Sequence, residues 1–379
     1  MDNFNFSNAH ERIFSPLEAY RFGLAVGSSL KENSKVTVGY CRSRGSDIYA
    51  FLISSAITAC KNDCFIVPES EEFMSEYAAY KLHAEQCIQI CSGSHISVSA
   101  KGALGSGLSA DFLNEVTARY HSNDYKRVKP AQSGKIKIVN DIPVLYELDL
   151  LHKFESIKNI RASVKTASPL VAKLFDEVIR DKNDLGAEEI VFNFSLDCKK
   201  VSAYSERSGY VFYETLLLIA AKIELEKGVE VEVPKYFPQA ADILSGRLIR
   251  AKDRESLKIN ANNRFLTDSF YLITMILDYL GKNKLSLSEA LEDVPSVYFT
   301  ERYIYTGERS EDKMNKLLKS KFLNENQERV SSIGKARVKL DKGKKGLNLF
   351  ADALSFEAAS SICDEIEGYV SRINLDKEE

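Results

Sequence analysis

Between residues 36 and 91 short apolar runs and longer helical stretches take turns, and few folds tolerate that rhythm. Val36-Thr37-Val38-Gly39-Tyr40 has the β-branched character of a short strand. Asp47 to Cys60 follows with helical periodicity, placing Ile48, Phe51, Leu52 and Ser55 near one face. Cys64 to Val67 is the next strand, Glu71 to Leu82 the next helix, and Cys87 to Cys91 a strand again. Strands separated by helices at this spacing imply an α/β layer built on a mostly parallel sheet.

A polar stretch from His121 to Gly134, containing Pro130 and several basic residues, reads as a linker that closes this first unit. Ile136 to Val139 restarts a strand, and Asn159 to Thr166 adds another. Ser168-Pro169 then carries a helix start signal, an N-cap followed by proline in the first turn, with Leu170, Leu174, Phe175 and Val178 as the apolar face. Glu189 to Phe194 is a strand, and Val201 to Phe212 reads as a hairpin turning at Ser208-Gly209. A third unit runs from the apolar helix Glu214 to Glu226 through a strand at Val229 to Val233 and helices at Pro238 to Ser245 and Asp268 to Leu280. After a loop at Glu292 to Tyr305 the last unit has a helix at Glu311 to Leu318, strands at Lys335 to Lys339 and Leu347 to Ala351, and a terminal helix from Ser355 to Ile373. The division expected is 1–130, 131–208, 209–292 and 293–379: three α/β domains with mixed sheets, then a smaller α+β domain.

The chain has 379 residues, enough for several such domains. A net charge of −3 gives no electrostatic reason to expect nucleic acid or an anionic membrane as partner. Apolar runs such as Leu216 to Ala221 are too short to span a bilayer, and Met1 to Ser7 does not resemble a signal peptide, so a cytoplasmic protein is expected. There are seven cysteines. Their odd number suggests reduced thiols. The pairs Cys60/Cys64 and Cys87/Cys91 lack the close, turn-joined spacing of zinc sites and are read as core thiols.

Three segments carry the chemistry. Ile88 to Cys91 is followed by Ser92-Gly93-Ser94-His95-Ile96-Ser97 and then Lys101-Gly102-Ala103-Leu104. Val191 to Phe194 is followed by Ser195-Leu196-Asp197-Cys198-Lys199-Lys200. Lys339-Leu340-Asp341-Lys342-Gly343-Lys344-Lys345 precedes a late strand. In this order, over essentially the whole chain, they resemble altered loops of the α-D-phosphohexomutase family (phosphoglucomutase/phosphomannomutase type). That resemblance implies three α/β domains and a smaller fourth around a central cleft. It implies Ser94, with His95, as the phosphoryl-carrying catalytic position. It makes Asp197 the one remnant of a magnesium loop that reads Asp-Gly-Asp-x-Asp-Arg in the family, with Lys199 where the third aspartate stands and Lys200 where the arginine stands. It assigns Lys339, Lys342, Gly343, Lys344 and Lys345 to the substrate-phosphate loop, with Lys199 and Lys200 facing the same substrate. The family's sugar-selecting Gly-Glu-x-Ser-Gly loop and its N-terminal Arg-Gly signature have no counterpart, and Gly39-Tyr40-Cys41 stands where Gly-x-Asp is usual.

Magnesium prefers an octahedron of oxygen ligands, and one carboxylate beside two lysines is a poor supply of them. Without the ion a phosphoryl transfer loses several kcal/mol of charge stabilisation. The expectation is therefore a catalytically impaired or inactive phosphohexomutase-like protein without a cofactor, retained for binding a phosphorylated hexose or other anion, or for a protein partner, in carbohydrate metabolism. The alternative is a working isomerase that uses Ser94 without the usual magnesium site.

Overall fold

The computed structural model describes residues 15–92, 96–126, 128–157, 160–179, 189–234, 237–251, 257–305, 318, 328–331, 334–341, 346–353 and 355–375. The chain is α/β, with parallel and antiparallel pairing mixed in its sheets. Its described residues fall into two compact units, one running to residue 234 and resuming over 245–293, the other formed by 237–244 and 294–375.

The first unit opens with α1 (Pro16–Ser29), whose start is fixed by a capping box between Ser15 and Glu18 and by Pro16. β1 (Lys35–Tyr40), β2 (Asp63–Val67) and β3 (Gln86–Ser92) are the parallel centre of a five-stranded sheet. β4 (Ile96–Lys101) joins β3 antiparallel on one edge, and β5 (Ile136–Ile138) joins β2 parallel on the other. The first sheet thus takes a strand from beyond the expected linker. α1 and α2 (Ser46–Thr58) cross at close range: a Cβ on Gly23 would meet Ala56 Cβ and Ile53 O at 2.7 Å. Under this crossing lies a core of Phe22, Val26, Val36, Val38, Ile53, Ile57, Ile88 and Ile90. The periodicity of α2 is as expected but its orientation is not foreseen. Ile48 and Phe51 are exposed, whereas Ala50, Ile53, Ala56 and Ile57 are buried. α3 (Glu72–Leu82) buries Phe73, Met74, Tyr77 and Ala78.

α4 (Ala110–Ser122) contributes Val116 to the first core, and α5 (Ile142–Lys153) is contacted by α3, Tyr77 Oη donating to Leu145 O at 3.0 Å. A second sheet has the order β6 (Ala162–Lys165), β7 (Ile190–Phe194), β8 (Val201–Ser205), β9 (Gly209–Val211). β6 pairs parallel with β7 and the rest antiparallel. α6 (Pro169–Val178) starts where expected, Ser168 Oγ accepting from Val171 N at 3.3 Å. α7 (Tyr213–Glu226) and α8 (Ser269–Asn283) are buried on most sides, and β10 (Val231–Val233) pairs with β11 (Leu248–Arg250). The stretch 238–245, expected as a helix, is a short 3-10 turn at Gln239–Ile243. α9 (Leu287–Glu292) has a capping box at Ser286 and Glu289.

The second unit contains an antiparallel sheet ordered β12 (Tyr298–Tyr305), β15 (Gly346–Ala353), β14 (Gly334–Asp341), β13 (Glu328–Ser331). α10 (Phe356–Leu375) covers it, with Ile362, Ile366 and Val370 against Val338, Leu347 and Leu349. β12 occupies what reads in the sequence as loop. The helix expected at Glu311 to Leu318 lies outside the described residues except for Leu318.

Candidate functional site

The connection from β7 to β8 is a tight turn that uses up its own polar groups. Ser195 N donates to Lys200 O at 2.9 Å, Cys198 N donates to Ser195 O at 2.9 Å, and Cys198 takes a left-handed φ of 55°. Ser195 Oγ donates to Asp197 Oδ1 at 2.7 Å and accepts from Lys200 N at 3.0 Å. Lys199 N donates to the same Asp197 Oδ1 at 3.1 Å. Ser269, the first residue of α8, holds the turn from outside, its Oγ donating to Cys198 O at 2.5 Å. Asp197 therefore serves as the turn's internal acceptor.

The lysines of this turn reach carboxylates. Lys200 Nζ lies 3.6 Å from Glu214 Oε1 and 5.9 Å from the centre of the Tyr213 ring. Lys199 Nζ lies 2.5 Å from Glu72 Oε2. Glu72 is the first residue of α3 and is buried, as is Glu76 one turn on. Between them sits Lys101, the last residue of β4, with Nζ 3.1 Å from Glu72 Oε1 and 2.7 Å from Glu76 Oε1. Ser99 Oγ donates to Glu72 Oε1 at 2.8 Å. Gly105 (φ 80°) passes so near that a Cβ there would stand 2.5 Å from Glu76 Oε2. The result is a row of alternating charge, Lys199, Glu72, Lys101, Glu76, open to solvent at the Lys199 end.

Burial by itself would raise the Glu72 carboxyl, but Lys101 and Lys199 overcome it and bring it to about 2. Among the described residues Glu76 pairs with no second cation, and burial pushes it up to about 7 in spite of Lys101. Burial works against the Lys101 ammonium too, yet Glu76 and Glu72 hold its pKa above the ordinary value. Beside the row, burial raises Glu71, tempered by Ser168 Oγ, which donates to its Oε1 at 2.5 Å.

This donor set does not fit a hard divalent cation. Magnesium asks for several oxygens free to converge. Asp197 is committed to its own turn, and Glu72, the buried carboxylate that Lys199 reaches, already faces two ammonium groups. Among the described residues no three His, Cys, Asp or Glu side chains are grouped so as to hold a metal. No helix of the described residues is long and apolar enough to cross a membrane.

Of the residues singled out in the sequence, Asp197, Lys199 and Lys200 come together at the β7–β8 turn. Ser94 and His95 lie outside the described residues, between β3 and β4. Lys339 is on β14, and Lys342, Gly343, Lys344 and Lys345 lie outside the described residues between Asp341 and Gly346. Sequence reasoning missed Glu72, Glu76, Ser99 and Lys101. A signal was present: in Ile96-Ser97-Val98-Ser99-Ala100-Lys101 apolar and polar residues alternate strictly, as on a strand with one buried face.

No protein-family model matches the sequence, and no curated protein matches it. Solved structures do. A phosphoglucomutase/phosphomannomutase family protein from Burkholderia thailandensis superposes with a TM-score of 0.69 at 13% identity, covering 96% of this chain and 95% of that one. A phosphomannomutase, described as putative, from Thermus thermophilus gives 0.66 at 12% identity, covering 98% of both chains. Parafusin, a phosphoglucomutase from Paramecium in an open form, gives 0.60 at 13% identity, covering 98% of this chain and 93% of that one. Along nearly its whole length, the chain has the fold of the phosphoglucomutase/phosphomannomutase proteins.

Proposed function

We propose that this chain is a phosphohexomutase-like protein without mutase catalysis, working without magnesium and retained to bind a phosphorylated hexose. The observation that carries the reading is the ion pair between Lys199 and Glu72 at the turn that the resemblance assigns to the metal. A phosphoryl group in transfer needs positive charge aimed at its oxygens. Here the ammonium at that turn is directed to a protein carboxylate, and the remaining aspartate to its own backbone. The solved structures sharing the fold are named as phosphoglucomutases and phosphomannomutases, which supports a sugar phosphate as the ligand class.

A coupled assay with glucose 1-phosphate or mannose 1-phosphate and a bisphosphate activator tests the catalytic half. The expected result is no turnover within several orders of magnitude of the ~10 per second of a median enzyme. Robust turnover that disappears in Ser94→Ala would establish the alternative, an isomerase working without the usual magnesium site. Thermal unfolding with added hexose phosphate tests the binding half. A ligand of the native state raises Tm by mass action. The rise should be lost in the double variant Lys342→Ala, Lys344→Ala. A phosphate-independent Tm would leave a protein partner as the reading of the scaffold.

A further inference from the structure

Five of the seven cysteines are buried structural thiols, and Cys41 and Cys91 are not. Burial raises the pKa of Cys60, Cys64, Cys87, Cys198 and Cys363, and the neighbouring Cys41, followed by burial, raises that of Cys91. Cys41 is lowered, first by the neighbouring Cys91 thiol and then, against burial, by Ser43, the Ser92 backbone and Ser46. The geometry stands behind this. Cys41 directly follows β1, and its N–H donates to Ile90 O at 2.9 Å, extending the parallel ladder in which Tyr40 is paired with Ile90. The next pair in that register is Cys41 with Cys91. Neighbouring strands run about 4.8 Å apart, within the roughly 4.4–6.8 Å between Cα atoms that a disulfide spans. Residues in register point to the same face, which puts the Cys41 and Cys91 side chains on one side of the sheet. Ser43 Oγ lies 3.0 Å and Ser46 Oγ 3.8 Å from Cys41 Sγ, donors suited to a sulfur anion. Both cysteines are partly exposed, whereas the other five are buried.

We propose that Cys41 and Cys91 form a peroxide-reactive dithiol, a reversible oxidation site at the ends of β1 and β3. The Cys41 thiolate attacks one peroxide oxygen. An S–O bond forms, the O–O bond breaks, and the departing hydroxide takes a proton to leave as water. The Cys91 sulfur then attacks the Cys41 sulfur. The S–S bond forms, the S–O bond breaks, and the released hydroxide takes the Cys91 proton as a second water. The two thiols give up two electrons, and the peroxide accepts them. A small thiol reverses the change by exchange. Reactivity of this kind follows thiolate character and access, with a resolving thiol nearby.

The test is oxidation of the reduced full-length chain with hydrogen peroxide, followed by alkylation, digestion and mass spectrometry. The expected product is a cross-linked peptide pair joining Cys41 to Cys91, lighter by its two thiol hydrogens and restored by reductant. The other five cysteines should remain alkylatable. In Cys91→Ser, oxidation should stop at a Cys41 sulfenic acid that dimedone traps. In Cys41→Ser, Cys91 should stay reduced. The native chain gives a measurement that needs no variant: under limiting iodoacetamide at neutral pH, Cys41 should be alkylated first. The proposal is overturned if any buried cysteine oxidises before this pair, if Cys91 oxidises equally well in Cys41→Ser, or if another thiol is alkylated ahead of Cys41.

Discussion

Two clusters of buried charge lie in the first unit, and they are built on opposite plans. In one, the Arg264 guanidinium faces the Asp268 carboxylate, with Nε at 3.0 Å and Nη2 at 2.9 Å from Oδ2. Tyr146 Oη donates to Asp268 Oδ1 at 2.8 Å, and Tyr271 N donates to the same oxygen at 2.9 Å. The rings of Tyr271, Tyr77 and Tyr146 surround the guanidinium at 4.7, 4.9 and 5.0 Å. The cation meets one buried anion, with the half-buried Asp149 Oδ2 3.7 Å from Nη1, and the walls are aromatic. The other cluster, Lys199–Glu72–Lys101–Glu76, runs from a buried end, where Glu76 is 2% exposed, to a lysine that is 43% exposed. The difference separates two uses of charge. A sealed pair with its hydrogen bonds made fixes how α3, α5 and α8 meet. A graded row with one open end and one carboxyl near neutrality is what a site can be made from.

The largest effect should come from breaking the sealed pair. Arg264→Leu leaves Asp268 buried without its cation, and such losses cost about 3–5 kcal/mol. Denaturant unfolding would measure it. A loss below about 1 kcal/mol would mean that water reaches Asp268, and the contrast between the clusters would collapse.

A smaller and pH-dependent effect is expected for Lys101→Met. It strands Glu76 and leaves Glu72 with Lys199 alone, so the cost at pH 8 should be about 3 kcal/mol, the low end for a broken buried pair. In the native chain Glu76 sits near 7 against an ordinary 4.5, so the folded state holds its proton more tightly. The stability this group gives is full below pH 4.5 and is lost as pH rises through 7. Glu72, held near 2, acts the other way, adding stability above 4.5 that is lost as pH falls toward 2. Acidification from pH 8 to pH 5 neutralises the stranded Glu76, so the penalty of Lys101→Met should shrink over that range. A penalty that is constant or grows toward pH 5 would show that Glu76 is ionised throughout.

The smallest effect belongs to Lys199→Ala. This side chain is 43% exposed, and pairs of that kind are worth ~0–1 kcal/mol. Stability should change by less than about 1 kcal/mol, and titration calorimetry with Mg²⁺ should show no gain in affinity, because Asp197 remains committed to its turn. A stoichiometric magnesium site appearing in the variant would identify Lys199 as the element that excludes the metal.

The α/β character and many element boundaries were legible in the residues. The strands at Val36, Cys64 and Cys87 announce themselves by composition, and Ser168-Pro169 and Asp268 cap helices where their local chemistry says they should. The resemblance to phosphohexomutases, drawn from altered loops, is matched by the fold. Other features needed distant partners. β12 reads as loop although its eight residues are mostly aromatic and β-branched, because the period-2 alternation is broken at Glu301-Arg302 and pairing with β15 decides the strand. α2 shows its period but not its orientation, because the small residue Ala56 fills the close crossing with α1 at Gly23 while Ile48 and Phe51 face out. The candidate site is the clearest case. Asp197, Lys199 and Lys200 could be named from their position after a strand. That Lys199 would meet Glu72, and that Lys101 would stand between two glutamates one helical turn apart, depends on bringing β4, α3 and the β7–β8 turn together. Local sequence sets backbone preferences over a few residues. The pairing of buried charges, and with it the pKa shifts of Glu72, Glu76 and Lys101, is set by desolvation and by neighbours that only the packed chain supplies.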